Sequence, residues 1–212
     1  MSSLVIVDSE CANLNSIYKA ARMVSLEAVI SDNPKTISSA RAIIFPGVGS
    51  FAHAASLISK KKLRESLLET VARGRPFLGI CLGMHLLFSG SEEADLSRVN
   101  DPTEGLGAIQ GEVKRFPEGL PIPHVGWNRV DPVNAHPLFA GLSEGNYFYF
   151  THSYFARPEH KENILSLTDY GFSFPSAVIN GNLYGVQFHP EKSGSAGLRL
   201  LSNFGKIIAD QQ

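Results

Sequence analysis

Short apolar runs that end at turn residues, with stretches of helical spacing between them, set what this chain can fold into. Leu4-Val5-Ile6-Val7 stops at Asp8, Glu27–Ile30 reads as a second strand, and Ala42-Ile43-Ile44-Phe45 is a third, stopped by Pro46-Gly47. Phe77-Leu78-Gly79-Ile80 is a fourth. A strand apolar at every position is buried on both faces, as in a parallel sheet covered by helices on each side. The intervening segments supply such helices. Asn13–Met23 places Leu14, Ile17, Tyr18 and Ala21 at helical spacing, Phe51–Ile58 and Leu63–Val71 follow, and Met84–Phe88 starts another. From Gly105 to Ser153 the segments are shorter, richer in Gly and Pro, and often alternating, as in Tyr147-Phe148-Tyr149-Phe150. They read as mixed or antiparallel strands extending the sheet. Asn182–Phe188 is a late strand, Leu198–Ile208 a terminal helix, and the polar stretch Ala94–Thr103 a flexible loop. Residues 1–212 therefore read as a single α/β domain.

Charge and cysteine usage narrow the function. The net charge is −1 with Lys and Arg dispersed, so no basic stripe marks a nucleic-acid footprint. No run approaches the roughly 18 apolar residues of a membrane span. The first residues lack the basic start of a signal peptide, which points to the cytoplasm. The chain has two cysteines, Cys11 and Cys81, which argues against a disulfide scaffold and leaves a free thiol available for chemistry. No Cys/His cluster has zinc spacing and no phosphate-binding Gly-rich loop is present, so neither a metal nor another cofactor is expected.

One thiol sits in a distinctive place. Gly79-Ile80-Cys81-Leu82-Gly83 is a G-x-C-x-G turn between a buried strand and a helical segment, the thiol form of a nucleophile elbow. Such a turn lifts the sulfur to the C-terminal edge of the sheet, under the first amides of the next helix, with the Leu82 amide placed for an oxyanion. The other reading is a buried structural cysteine at a tight junction. Gln187-Phe188-His189-Pro190-Glu191-Lys192 leaves a late strand at the same edge. Pro190 fixes the backbone so that Glu191 can turn back to one imidazole nitrogen of His189 and leave the other for a thiol. Taken alone, the turn could equally be an exposed surface feature. Lys60-Lys61-Lys62 is a solvated helix face.

Assembled in this order, the residues resemble the class I (triad-type) glutamine amidotransferases, of flavodoxin-like architecture with an open mixed, largely parallel sheet. More specifically they are similar to the glutaminase subunits of imidazole glycerol phosphate synthase, in histidine biosynthesis. The Cys81 elbow and the His189-Pro190-Glu191 turn carry the wider resemblance. The narrower one rests on Pro46-Gly47-Val48-Gly49-Ser50-Phe51, Pro123-His124-Val125-Gly126-Trp127-Asn128 and Tyr149-Phe150-Thr151-His152-Ser153-Tyr154. The resemblance implies that Cys81 attacks the glutamine side-chain amide, His189 transfers the proton and Glu191 holds the imidazole. It implies an oxyanion site from Gly47, Val48, Gly49 and Leu82, with a donor that must reorient. Glutamine contacts fall to His85, Glu93, Ser153 and Tyr154. Asn13, Trp127, Tyr149 and Lys192 fall at an interface with a (β/α)₈-barrel cyclase subunit, the heterodimer partner that receives the ammonia.

Two departures qualify this. The family usually carries glutamine where this chain has His85, and an aromatic-Gly-x-Gly-Asn-Leu run where it has Asp8-Ser9-Glu10-Cys11-Ala12-Asn13-Leu14. A glutaminase serving a different ammonia acceptor and a cysteine hydrolase of similar fold therefore stay open. So do plainer readings of Trp127 and Tyr149 as core and of Lys192 as a surface charge.

Overall fold

The computed structural model describes residues 4–93, 104–142 and 146–211. Strand β1 (Leu4–Val7) is buried at every position, and its side chains alternate between two cores. Leu4 and Ile6 join one cluster, Val5 and Val7 the other. The same alternation divides Ala42 and Ile44 from Ile43 and Phe45 in β3 (Ala42–Gly47), and Leu78 and Ile80 from Phe77 in β4 (Phe77–Cys81). Period-two geometry thus sends a continuous apolar run to both faces. Helix α1 (Leu14–Met23) covers the first face through Ile17 and Ala20, beside α6 (Gly194–Asp210), which contributes Leu200, Leu201 and Phe204. The second face is covered by α3 (Phe51–Lys60) and α4 (Leu63–Ala72), through Phe51, Ala54, Ile58, Leu63 and Leu67.

Strand β2 (Ala28–Ser31) forms one edge, a residue later than the spacing suggests. A five-residue helix, α2 (Pro34–Ser38), follows it and escapes the periodicity argument because it is barely one turn long. Its signal is local: Asn33 accepts hydrogen bonds from the Lys35 and Thr36 amides, and Pro34 takes the first helical position. Strand β3 does not stop at Pro46-Gly47 but runs through Gly47, which pairs with Cys81 of β4. The helix after the cysteine, α5, spans Leu82–His85, so it starts and ends earlier than Met84–Phe88.

The remaining strands are β5 (Gly90–Ser91), β6 (Gly111–Arg115), β7 (His124–Pro132), β8 (Asn146–His152), β9 (Tyr154–Pro158), β10 (Ile164–Asp169), β11 (Ser173–Asn180) and β12 (Leu183–Val186). The main sheet has the order β2-β1-β3-β4-β12-β11-β10-β7-β8. It is parallel from β2 to β12 and antiparallel beyond. The expectation that the segments from Gly105 to Ser153 all extend this sheet needs one correction. β7 and β8 do so, whereas β6 pairs with β5 and β9 in a separate three-stranded sheet. The stretch Ala94–Thr103, read above as a loop, lies outside the described residues. The loops after β1, β3, β4 and β12 all leave the C-terminal edge of the parallel half, where open α/β sheets place their ligands.

Candidate active site

Cys81 ends β4 and caps α5 with φ 54° and ψ −110°. The strained residue of the elbow is thus the cysteine itself, and neither Gly79 nor Gly83 has positive φ. The glycines serve close approach. A Cβ on Gly83 would lie 1.8 Å from the Phe45 carbonyl oxygen, and one on Gly79 would lie 2.7 Å from that of Gly83. Gly47 is similarly tight, since its Cβ would meet the Gly83 nitrogen at 3.0 Å. Backbone packs directly on backbone here, which holds the sulfur at the sheet edge. A helix of a single turn has little macrodipole, so α5 acts on the sulfur chiefly through its first amides.

His189 follows β12 and is fixed from both sides. Its amide donates to the Tyr149 carbonyl at 2.9 Å, and its carbonyl accepts from the Ser193 hydroxyl at 2.6 Å. Ser193 Oγ also accepts from the Tyr149 amide at 3.0 Å, tying the turn to β8. Helix α6 presses on the same turn at Gly197, where a Cβ would lie 1.9 Å from the Pro190 oxygen. His189 Nδ1 and Glu191 Oε1 are 2.8 Å apart with side chains 2% and 7% exposed. His189 Nε2 is buried and makes no hydrogen bond among the described residues. Burial alone pulls the imidazole pKa down, but the Cys81 sulfur and the Glu191 carboxylate outweigh it and raise it to about 10. The ring is therefore oriented through one nitrogen and electrostatically coupled to the sulfur, with the second nitrogen placed to hold the thiol's proton.

Around the sulfur lies a cavity of about 280 Å³ lined by Val48, Gly49, Leu82, His85, Glu93 and Tyr154, with Ser153, His152, Thr151 and Pro123 completing the wall. Two larger grooves, of about 730 and 620 Å³, contain neither Cys81 nor His189. The Val48 amide does not face the cavity as an oxyanion donor. It donates to the Cys11 carbonyl at 2.6 Å. Gly49 has φ +99°, a backbone state that favours glycine. Glu93 accepts from the Phe51 amide at the start of α3 at 2.8 Å, and burial raises its carboxyl pKa. His85 points its Nε2 at Gln187 Oε1, 2.7 Å away. Burial lowers the His85 pKa to about 4 against a weaker opposing pull from Gln187, so the ring is neutral at neutral pH.

Behind the cavity, imidazoles are hydrogen-bonded in series. His124 Nδ1 lies 3.0 Å from His152 Nε2, and His152 Nδ1 lies 2.8 Å from the Tyr154 carbonyl oxygen. That carbonyl only accepts, so His152 donates from Nδ1 and receives the His124 proton at Nε2. Burial holds His124 at about 4 and His152 well below the ordinary imidazole range.

On the neighbouring surface, Trp127 is 56% exposed and meets Tyr149 edge-on at 6.2 Å, so it is not core. Lys192 Nζ lies 5.6 Å above the Tyr149 ring. Tyr149 is half-buried rather than core. Asn13 is exposed and caps α1 by accepting from the Ser16 amide at 3.4 Å. Asn13 and Lys192 also line a small void of about 20 Å³ together with His189 and Glu191.

The sequence reading missed two partners. Gln187 sits inside a quoted motif but shows its role only through contacts with residues about a hundred positions away. The Cys11 carbonyl has no sequence signature at all. Among the described residues, no group of three His, Cys, Asp or Glu side chains is arranged to hold a metal. No helix among them is long and apolar enough to cross a membrane.

Comparison with known proteins agrees with this geometry. The family model "Glutamine amidotransferase class-I" matches residues 5–207. The chain is 45% identical over 210 residues to a protein of Symbiobacterium thermophilum named imidazole glycerol phosphate synthase subunit HisH, covering 99% of this chain and 96% of that one. It is 42% identical to the protein of that name from Moorella thermoacetica, covering 98% and 96%. A solved structure described as a glutamine amidotransferase superposes with a TM-score of 0.74 at 19% identity, covering 97% and 98%, which establishes the likeness of fold. The chain belongs to the class I glutamine amidotransferases and, within them, to the family of imidazole glycerol phosphate synthase subunit HisH.

Proposed function

We propose that this chain hydrolyses glutamine to glutamate and ammonia and passes the ammonia to a (β/α)₈-barrel cyclase subunit that makes imidazole glycerol phosphate in histidine biosynthesis. The observation that carries the reading is the His189–Glu191 contact of 2.8 Å, which orients an imidazole whose other nitrogen is left free beside Cys81. In the reaction, the Cys81 proton goes to His189, where an imidazole pKa of about 10 keeps it at neutral pH, and the sulfur attacks the glutamine side-chain carbonyl. The oxyanion is held by the Leu82 amide and, after reorientation, by an amide of the Gly47–Gly49 segment. His189 then gives its proton to the departing ammonia, and water attacks the γ-glutamyl thioester to release glutamate. Glu191 keeps the imidazole aligned. Glu93 and the backbone at Ser153 and Tyr154 line the cavity for the amino-acid end of glutamine, with His85 in its wall.

Ammonia set free in neutral water becomes ammonium, which has no nucleophilic lone pair. A receiving subunit is therefore needed. Trp127, Tyr149 and Lys192 form one contiguous patch next to the triad. Asn13, exposed near Lys192, would extend this surface for the docking of that subunit in a heterodimer. The whole would work in the cytoplasm as one glutaminase domain. The test is glutamine-dependent synthesis of imidazole glycerol phosphate by this chain mixed with the cyclase subunit, at a pH where little free ammonia exists. Product formed from glutamine in the mixture, and from neither subunit alone, is expected. Equal synthesis without this chain would refute the assignment.

A further inference from the structure

The reading of Cys81 as nucleophile leaves Gln187 without a role, although the residue is fully buried and reaches the sulfur. Gln187 Nε2 lies 3.8 Å from Cys81 Sγ, and Gln187 Oε1 lies 2.7 Å from His85 Nε2. We propose, on the basis of that reading, that His85 and Gln187 are a positioning pair: His85 donates its Nε2 proton to the Gln187 oxygen, and this keeps the Gln187 N–H groups on the Cys81 sulfur, where they favour the thiolate. An amide can present either end to a neighbour. The reverse orientation would aim an oxygen at a sulfur that, once ionised, has no proton to give. A neutral His85 that donates from Nε2 removes that orientation, because its proton must face an acceptor. While the sulfur keeps its own proton, the Thr151 carbonyl 4.0 Å away is its acceptor. As the proton leaves for His189, the donors of Gln187 are already in place. Donors aimed in advance at a developing charge need no reorganisation when it forms.

The pairing also gives the histidine at position 85 a distinct task. Its Nε2 is turned from the substrate to Gln187, so it acts on the nucleophile through a neighbour. Other ionisable groups around the sulfur are His189 and Glu191 on the turn after β12, His152 at the end of β8, Tyr154 at the start of β9, and Glu93 across the cavity. None of these is replaced by the substitutions below, and the coupling of His152 to His85 is retained in Gln187→Leu.

The test is the pH dependence of Cys81 alkylation by iodoacetamide in the full chain without a partner, read on the peptide that carries Cys81 so that Cys11 is counted separately. A charge-assisted hydrogen bond that favours the thiolate is reflected directly in the thiol midpoint. Gln187→Leu is expected to raise the midpoint by about one unit, roughly tenfold less thiolate at a given pH below it. His85→Leu is expected to shift it in the same direction by less and to add nothing in the Gln187→Leu background, since both act through one amide. His85→Gln, which retains an N–H for the Gln187 oxygen, is expected to stay within about twofold of the parent. A parental midpoint in Gln187→Leu, or a His85→Leu shift that adds in full to it, would overturn the proposal. Should circular dichroism show that Gln187→Leu does not fold, His85→Leu against His85→Gln decides, and equal midpoints there overturn it. Loss of the reading of Cys81 as nucleophile has a separate signature, glutamine hydrolysis by the complex that survives Cys81→Ala.

Discussion

The Val48 amide donates its hydrogen to the Cys11 carbonyl across 2.6 Å, linking the loop after β3 to the loop after β1 and turning the amide away from the cavity at Cys81. An oxyanion site that lacks one donor loses about 100- to 1000-fold in rate. The free chain should therefore be slow, and activation should require this bond to break. The hydrogen bond to the Cys11 carbonyl protects the Val48 amide from solvent exchange for as long as it holds. Hydrogen exchange at Val48 should be slow in the free chain and faster in the complex bearing the cyclase ligand. Unchanged protection on activation would exclude the Val48 amide as the moving donor.

Gly49 follows that amide in a backbone state that favours glycine. Its φ is +99°, and no heavy atom lies within 4 Å of the position a Cβ would take, so alanine would meet backbone strain and no steric contact. Gly49→Ala should therefore strain the resting loop and destabilise the free chain by about 1–2 kcal/mol. Urea unfolding of the free chain checks this, and parental stability in the variant would contradict it.

Removing the base should cost more than removing its orienter. His189→Asn is expected to lower kcat in the complex by about 10²–10⁴, and Glu191→Gln by a smaller factor, with glutamine KM near the parental value. A KM effect as large as the kcat effect would place His189 in binding instead.

The titrations give stability a definite pH course. His189 has a folded-state pKa of about 10, above its unfolded value of 6.5, so its contribution is full below 6.5 and is lost as pH rises through about 10. His85 and His124, at about 4, run the other way: their contribution is full above 6.5 and is lost as pH falls towards 4. Urea unfolding across pH should show stability declining on both sides. Cys81→Ala should flatten the alkaline decline, because the sulfur is the leading cause that raises His189.

The exposed aromatic patch predicts separable effects on folding and assembly. Trp127 is accessible on its own chain, so Trp127→Ala should leave the melting temperature nearly unchanged. It should weaken binding of the cyclase subunit by about 30-fold or more if it fills a pocket there, as buried aromatic anchors do. Calorimetric titration of the two subunits distinguishes the two effects.

What the sequence reveals here depends on how local the signal is. Leu4–Val7 and Phe77–Ile80 announce a doubly covered parallel sheet because every residue is apolar, and Gly79-Ile80-Cys81-Leu82-Gly83 announces its turn through residue type alone. The small sheet is not legible, because β5 has only two residues and β6 alternates like any strand of the main sheet. Nor can periodicity distinguish Trp127, on an exposed face of β7, from a core tryptophan. The contacts that tune the nucleophile are least visible. His85 meets Gln187 across 102 positions, and the Cys11 carbonyl acts through backbone that every residue shares.

The most direct test is glutamine hydrolysis by this chain with and without the cyclase subunit and its nucleotide ligand, with Cys81→Ala as control. The account predicts slow hydrolysis by the chain alone, stimulation of about 100-fold or more by the liganded partner, and loss of activity in the variant. Hydrolysis equally fast with and without the partner, or persisting in Cys81→Ala, would contradict it.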